Sequence, residues 1–443
     1  MRNFRLFGKV LLFMAFIIAG CSKNSDTQIS DLPTPTGNYV VFAWNDLGMH
    51  CLNPSYDKLV ILPPYNNLMV QVIKKGKIPE IITSGLSVEY SLVNNTSSAD
   101  KGDYGQFWTN GIQLFGAMFN ITSLAPNVGL KGMGLSGTMT ASTGYFIAEG
   151  IPATPIDDSG TKDPFQQAIV SVKDQSGNIL ATTKATIPTS DEINCAKCHG
   201  TDAFNDILRK HDIAHGTTLM NSKPVLCAGC HGSPALGQMT AGSSGKFLSE
   251  AIHGYHADKN AACYDCHPGT TAKCNRSIAH TSADGNCITC HGTMDEVAST
   301  IEQGRVPWVT EPKCVTCHKN VTEVDTGNDL YRNSHGHGNL YCTVCHGSPH
   351  AMYPSSNTKD NYQSQQYQGA DKPVKTIGSC GVCHRNSRGE SNSNEFAEKH
   401  GGANPEKKIA CHTCHTEVPT NTQQWPHSYT WKDSGGNSSG VGD

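Results

Sequence analysis

Between residues 195 and 415 the chain writes Cys-x-x-Cys-His eight times. The copies are Cys195/Cys198/His199, Cys227/Cys230/His231, Cys263/Cys266/His267 and Cys287/Cys290/His291. They continue as Cys314/Cys317/His318, Cys342/Cys345/His346, Cys380/Cys383/His384 and Cys411/Cys414/His415. Two thiols at this spacing, followed directly by an imidazole, form the attachment pattern for a c-type haem. The thiols add to the vinyl groups, and the histidine reaches the iron from one face. A zinc site needs two cysteine pairs, or one pair with two histidines, and a redox dithiol needs one pair alone. Neither requires a histidine after every second cysteine. Eight copies therefore predict eight covalent haems c.

The repeat also decides what the rear half can fold into. From Cys195 to Asp443, Leu, Ile, Val and Phe make up 30 of 249 residues, about 12%. Chains below roughly 20% in these residues fall in the range associated with disorder. They bury too little side chain to offset the entropy of ordering. Eight flat, mostly apolar macrocycles would supply the missing core, so this half is expected to be largely unfolded without haem. A formal net charge of −4 with no long basic block points away from nucleic acid as a partner. Haem propionates would make the finished protein more acidic still.

Ahead of the motifs the texture is different. Residues 39–188 hold short β-like runs between turn residues: Tyr39–Trp44, Leu68–Ile73, Leu86–Val93 and Ala168–Lys173. The last is followed by Asp174-Gln-Ser-Gly177 and then Ile179–Ile187, the pattern of a hairpin. With many glycines and no long helical period, the region is expected to be an all-β, sandwich-like domain. It carries no cofactor motif and reads as a spacer or docking domain. Residues 189–431 follow as an octahaem domain of loops and short helices, with helices expected at Asp202–His211 and Asn394–Lys399. Residues 432–443 read as a flexible tail.

Of the 20 histidines, twelve lie outside the motifs, against eight irons with one face each still open. Four share a pattern upstream of a motif: His215-Gly, His253-Gly, His335-Gly and His400-Gly. A glycine after a ligand lets the backbone bend close to a flat ring. His280 sits at a similar offset before Cys287. His337 follows His335 by two residues and points the same way in an extended segment, or elsewhere in a turn. His350 follows His346 closely, and His427 comes after the last motif. These eight are the candidate second ligands, with His50, His211 and His256 in reserve. No candidate lies just upstream of Cys195 or Cys314, so those irons draw ligands from other segments.

The first twenty residues combine Arg2, Arg5 and Lys9 with an apolar run, Val10–Ile18, too short to span a bilayer well. The run ends in Ile18-Ala19-Gly20-Cys21, which resembles a bacterial lipoprotein cleavage site. That resemblance implies removal of residues 1–20 and lipidation of Cys21, with residues 21–38 as a polar tether. Ser22, where an inner-membrane signal would have aspartate, implies the outer membrane, on its periplasmic or cell-surface face. The membrane contact would be the lipid alone. Cys51 and Cys274 are then the cysteines left over, either a disulfide joining the two regions or two unpaired thiols.

Over Cys195 to His427 the chain resembles the multihaem c-type cytochromes of bacteria that respire with periplasmic or extracellular acceptors. A β-rich domain ahead of a haem array on a lipoprotein is similar to the surface cytochromes of metal-reducing bacteria. The resemblance implies electron transfer along closely spaced haems, with other redox proteins or extracellular acceptors as partners and no chemistry of the protein's own. Imidazole on both faces leaves an iron no vacant site. Octahaem enzymes reducing nitrogen or sulfur oxyanions, or oxidising hydroxylamine, are the alternative. Their active haem often has a lysine in place of the motif histidine, a variant absent from all eight motifs here. A conducting filament is the third reading.

Overall fold

The computed structural model describes residues 37–76, 78–269, 271–281, 287–317 and 330–385, with the backbone of 431–432 and 438–439. Several expectations fall on other residues. The leader, Cys21, most of the tether, the expected helix at 394–399, His318, His400 and His427 lie outside the described residues. The whole last motif, Cys411, Cys414 and His415, lies outside them as well, as do the side chains of His337 and Cys380.

The front part is built of antiparallel strands. In chain order they are β1 (Tyr39–Trp44), β2 (His50–Cys51), β3 (Leu59–Val60), β4 (Asn66–Lys74), β5 (Glu80–Ile81) and β6 (Ser87–Leu92). After a helix come β7 (Ser136–Thr138), β8 (Thr140–Ser142), β9 (Tyr145–Ile151), β10 (Gln167–Lys173) and β11 (Ile179–Thr186). One sheet runs β1-β4-β9-β8, with β5 added on β4, and the other runs β11-β10-β6-β7. Strand β10 shows the cause of the packing: Ala168, Val170 and Val172 are buried while their neighbours are only partly so. A period of two puts one face of a strand in the core. Those residues meet Val41, Val70, Val72, Val88 and Phe146 between the two sheets.

Strand β1 departs from that alternation, because Val40 to Trp44 are all buried. Val41 and Ala43 face the sandwich core, whereas Val40, Phe42 and Trp44 pack on Tyr341, Val344 and Val382 of the rear half. A strand covered on both faces reads as a continuous apolar run.

The front half also holds a helix where none was expected, α1 (Gln106–Phe119). Its sequence, with two glycines and several aromatics, ranks low in helix propensity. Phe107, Gly111, Leu114 and Phe115 nevertheless fall on one buried face, at helical spacing. Tertiary packing against Tyr56 and Leu130 thus overrides local preference.

The rear half is short helices and loops: α2 (Ala196–His199), α3 (Ala203–His215), α4 (Leu248–His256) and α5 (Cys287–His291). They are followed by α6 (Met294–Glu302), α7 (Cys342–His346) and α8 (Tyr362–Gln368). Thr293 and Glu296 start α6 with a reciprocal capping box. Among the described residues no helix is long and apolar enough to cross a membrane.

Three devices join the halves. Two short parallel pairings add β12 (Thr189–Ser190) to β2 and β13 (Val225–Leu226) to β3. Arg276 and Asp360, 2% and 3% exposed at their side chains, form a buried ion pair with Nε–Oδ2 of 2.8 Å. Asp360 also accepts a 2.6 Å hydrogen bond from Thr186 on β11, and the guanidinium lies over the Phe165 ring. Helix α8 supplies the third. The Gln363 amide takes the N–H of Ala43 on β1 (3.0 Å) and donates to its carbonyl. Gln366 accepts from Thr183 Oγ1 (2.7 Å) and donates to the Thr182 carbonyl on β11 (2.9 Å). β1 and β11 are the edge strands of their sheets, and two glutamines of one helix occupy backbone or side-chain groups that an edge would leave open.

Candidate haem-binding site

In the rear half, one cavity of about 2780 Å³ is lined by residues of six Cys-x-x-Cys-His segments, those beginning at 195, 227, 263, 287, 314 and 342. That is several times the size of a pocket for one drug-sized ligand. Its wall includes large apolar side chains open to it, among them Tyr255, Ile288 and Trp308. Solvent-exposed apolar surface of this kind marks a binding site.

Within the wall, motif histidines stand opposite others in pairs. The ring centres of His199 and His256 are 6.4 Å apart, those of His231 and His211 6.3 Å. His267 faces His253 at 6.1 Å, and His291 faces His350 at 6.0 Å. With metal–imidazole bonds of about 2 Å and a further ~1 Å from nitrogen to ring centre, two axial imidazoles on one metal stand roughly 6 Å apart. The four pairs have that spacing. Among the described residues no three of His, Cys, Asp and Glu gather as one metal-ion site; the donors are arranged two by two.

The second ring nitrogen supports the same arrangement. His199 Nδ1 donates to Asp206 (2.8 Å), His253 Nδ1 to the Ser249 carbonyl (2.7 Å) and His256 Nδ1 to the Ile252 carbonyl (2.8 Å). His350 Nδ1 donates to the Leu47 carbonyl, while the Nδ1 atoms of His211 and His231 bond the hydroxyls of Thr217 and Ser244. Tying Nδ1 fixes ring and tautomer and leaves Nε2 for a metal. Burial, helped by neighbouring imidazoles, lowers His267 and His291 to about 4. They are neutral, lone-pair donors near pH 7. The cysteines behave oppositely: burial pushes Cys195 up to about 11 and Cys227 and Cys345 to about 12, so they remain thiols.

The expected second ligands divide. His253 and His350 are in pairs. His215 lies beside His211, ring centres 4.7 Å apart, and it is His211 that faces His231. His280 and His335 line the same cavity, and the His335 ring centre is 4.1 Å from that of Tyr341. His256 and His211, held in reserve at the sequence level, each face a motif histidine. Both sit one turn from a more obvious candidate on a single helix face, and that i, i+3 or i, i+4 spacing is the signal that finds them. His50 is bonded through Nε2 to Asp46 at 2.7 Å. Cys51 and Cys274 are free thiols near each other in the cavity wall, raised by burial to about 12 and about 11.

The expected attachment residues divide too. His346 lines the cavity with the four other described motif histidines of that wall's segments, His199, His231, His267 and His291, while His318 falls outside the described residues. His384 and Cys383 are not part of that wall. The reason is that the 380 segment is drawn onto the front half. His384 forms a parallel backbone bridge with Gly76, just beyond β4, and Gly76 bonds the Cys383 carbonyl and the Arg385 N–H. Cys414 and His415, expected to carry the eighth haem with Cys411, are not placed by the described residues.

Adjacent motifs follow one another in space. The 195 segment meets the 263 segment through Lys197–Asp265 (2.6 Å) and an Asn194–Asp265 backbone bond, and Cys195 also lies near Cys227. His267, His291 and His350 lie within electrostatic reach of one another, as do Cys290 and Cys317. Tyr331 lies beside both Cys314 and Cys342. Cys345 and Cys383 share one apolar cluster. The succession is 227, 195, 263, 287, 314, 342, 380, with the first two exchanged from their order in sequence.

No curated protein matches the chain. Among solved structures, MtrC from Shewanella baltica OS185 is similar at 14% identity, over 59% of this chain and 44% of that one. The TM-score is 0.14, which carries no argument, and the match spans less than half of that protein's length. Residues 294–347 match the family model of cytochrome c554 and c-prime. That match runs from α6 through the 314 and 342 motifs, and it supports reading the chain as a c-type cytochrome with more than one haem.

Proposed function

We propose that the protein is an electron carrier with eight covalent haems c. In this reading each attachment histidine is matched by a second histidine across the iron. The observation that carries it is the set of four histidine pairs with ring centres 6.0–6.4 Å apart. His256, His211, His253 and His350 would be the second ligands for the 195, 227, 263 and 287 haems. Bound haem supplies one-electron exchange between ferric and ferrous iron. The protein's own residues hold two imidazoles to each site, exclude water with Tyr255, Ile288 and Trp308, and bring successive motifs together. An iron filled on both faces passes electrons and does not bind substrate. That favours a carrier over an oxyanion reductase.

The same proposal places the chain as an outer-membrane lipoprotein anchored through Cys21, exchanging electrons with periplasmic or extracellular acceptors. Its support is the leader sequence and the β-rich front half. Low-temperature electron paramagnetic resonance of the oxidised protein, with a haem-to-protein ratio, tests the carrier reading. Eight low-spin haems are expected; a stoichiometric high-spin signal would revive an enzyme. Cys21→Ser is expected to leave the membrane fraction, and its retention there would overturn the lipid anchor.

A further inference from the structure

Six cations line the cavity, Lys197, Lys210, Lys246, Arg305, Lys313 and Arg332, and three of them have an ion-paired carboxylate among the described residues. Lys197 pairs with Asp265, Lys210 with Asp206 and Lys246 with Glu250. Arg305 does not. Its Nε donates to Thr300 Oγ1 at 2.9 Å and one terminal nitrogen to the Val297 carbonyl at 3.0 Å, both neutral acceptors on α6. Its other terminal nitrogen has no partner among the described residues. The side chain is partly withdrawn from water, lines the cavity and lies within electrostatic reach of both His253 and His291.

A guanidinium fixed in this way, partly desolvated and without a counter-charge among the described residues, is a site for a carboxylate. Its two helix bonds aim it, and its planar fork suits a carboxylate better than an ammonium would. His253 and His291 belong to two successive sites, those of the 263 and 287 motifs, so the cation lies within reach of both.

We propose that Arg305 binds a haem propionate at the junction of the 263 and 287 sites and so raises the reduction potentials there. The inference rests on the haem reading above. Arg305 is a positioning and potential-setting residue and touches no iron. A fixed positive charge next to an iron disfavours the ferric state relative to the ferrous one. Its loss, leaving a bare propionate, acts in the opposite direction.

The test uses the mature protein with Arg305→Met and Arg305→Lys, each first counted for haem. A wild-type ratio well below eight would sink the haem reading itself and not this assignment. With the full haem complement, potentiometric titration in mildly alkaline buffer, where propionates are ionised, is expected to show one or two couples moved to lower potential in Arg305→Met. Arg305→Lys should restore them in part. A merely structural role, closing the end of α6, would lower the melting temperature and leave every couple in place. Unmoved couples in a fully loaded Arg305→Met protein overturn the proposal. If Arg305→Met loses haem, the smaller displacement expected in Arg305→Lys decides, and its absence counts against the proposal equally.

Discussion

His253 and His256 stand three residues apart on α4, yet they face histidines of different attachment segments, His267 and His199. One helix therefore supplies one ring to each of two histidine pairs, and the two pairs are fixed to each other by a turn of α-helix. Lys197–Asp265 joins the same two segments directly.

Removing one of these rings gives the first prediction. His256→Ala is expected to keep all eight haems, because attachment uses only the cysteines, and to convert one of them from low to high spin. His211→Ala should do the same, whereas His215→Ala should leave the spectrum alone. Electron paramagnetic resonance reads all three, and a changed spectrum in His215→Ala alone would reverse the assignment.

A second prediction concerns the protein made without haem. With so few aliphatic residues after Cys195, the rear half should lose its protection when the attachment cysteines are replaced. Limited proteolysis is expected to cut throughout 195–430 and to leave a β-rich fragment near residues 39–188. Uniform resistance would show that the rear half has a core of its own.

The Gln363 amide closes both backbone groups of Ala43. Gln363→Ala removes two hydrogen bonds and leaves those groups unsatisfied, so it should cost about 1–3 kcal/mol. Denaturant unfolding monitored by β-sheet circular dichroism measures this, and the haem spectrum should not move.

Arg276 and Asp360 are buried deeply enough that breaking the pair is worse than replacing it. Arg276→Met alone should destabilise by about 3–5 kcal/mol, because it strands a carboxylate. Adding Asp360→Leu should recover much of that loss, although Thr186 and Ser355 also lose their acceptor. A double variant no better than the single one would show that those hydroxyls, and not the cation, set the role of Asp360.

The strands of the front half were legible because β10 and β6 keep a strict alternation and the 174–177 turn is spelled in turn residues. Helix α1 was not, since its glycines and aromatics follow from packing on Tyr56 and Leu130. The attachment half of each site was plain in the cysteines, although nothing in its motif sets His384 apart from the cavity. The opposite half was legible only in part, because His-Gly has two meanings. Gly216 after His215 has φ +66° and ends α3 in the left-handed region, so it marks a helix stop. Gly254 after His253 lies inside α4, where a Cβ would stand 3.4 Å from Ala298, so it marks the contact with α6. His211 and His256 were hidden by that ambiguity, although their spacing from His215 and His253 sets each on the same helix face as the more obvious candidate.

The two glutamines of α8 also impose a timetable. They close edge strands that lie 320 and 183 residues earlier in the chain, and six of the attachment motifs come before them. A chain made N-terminus first carries its β1 and β11 edges uncovered until the segment behind those motifs arrives. Uncovered edges invite pairing with other chains. The front half is thus most open to wrong pairing while the six motif segments that separate it from α8 are still being made.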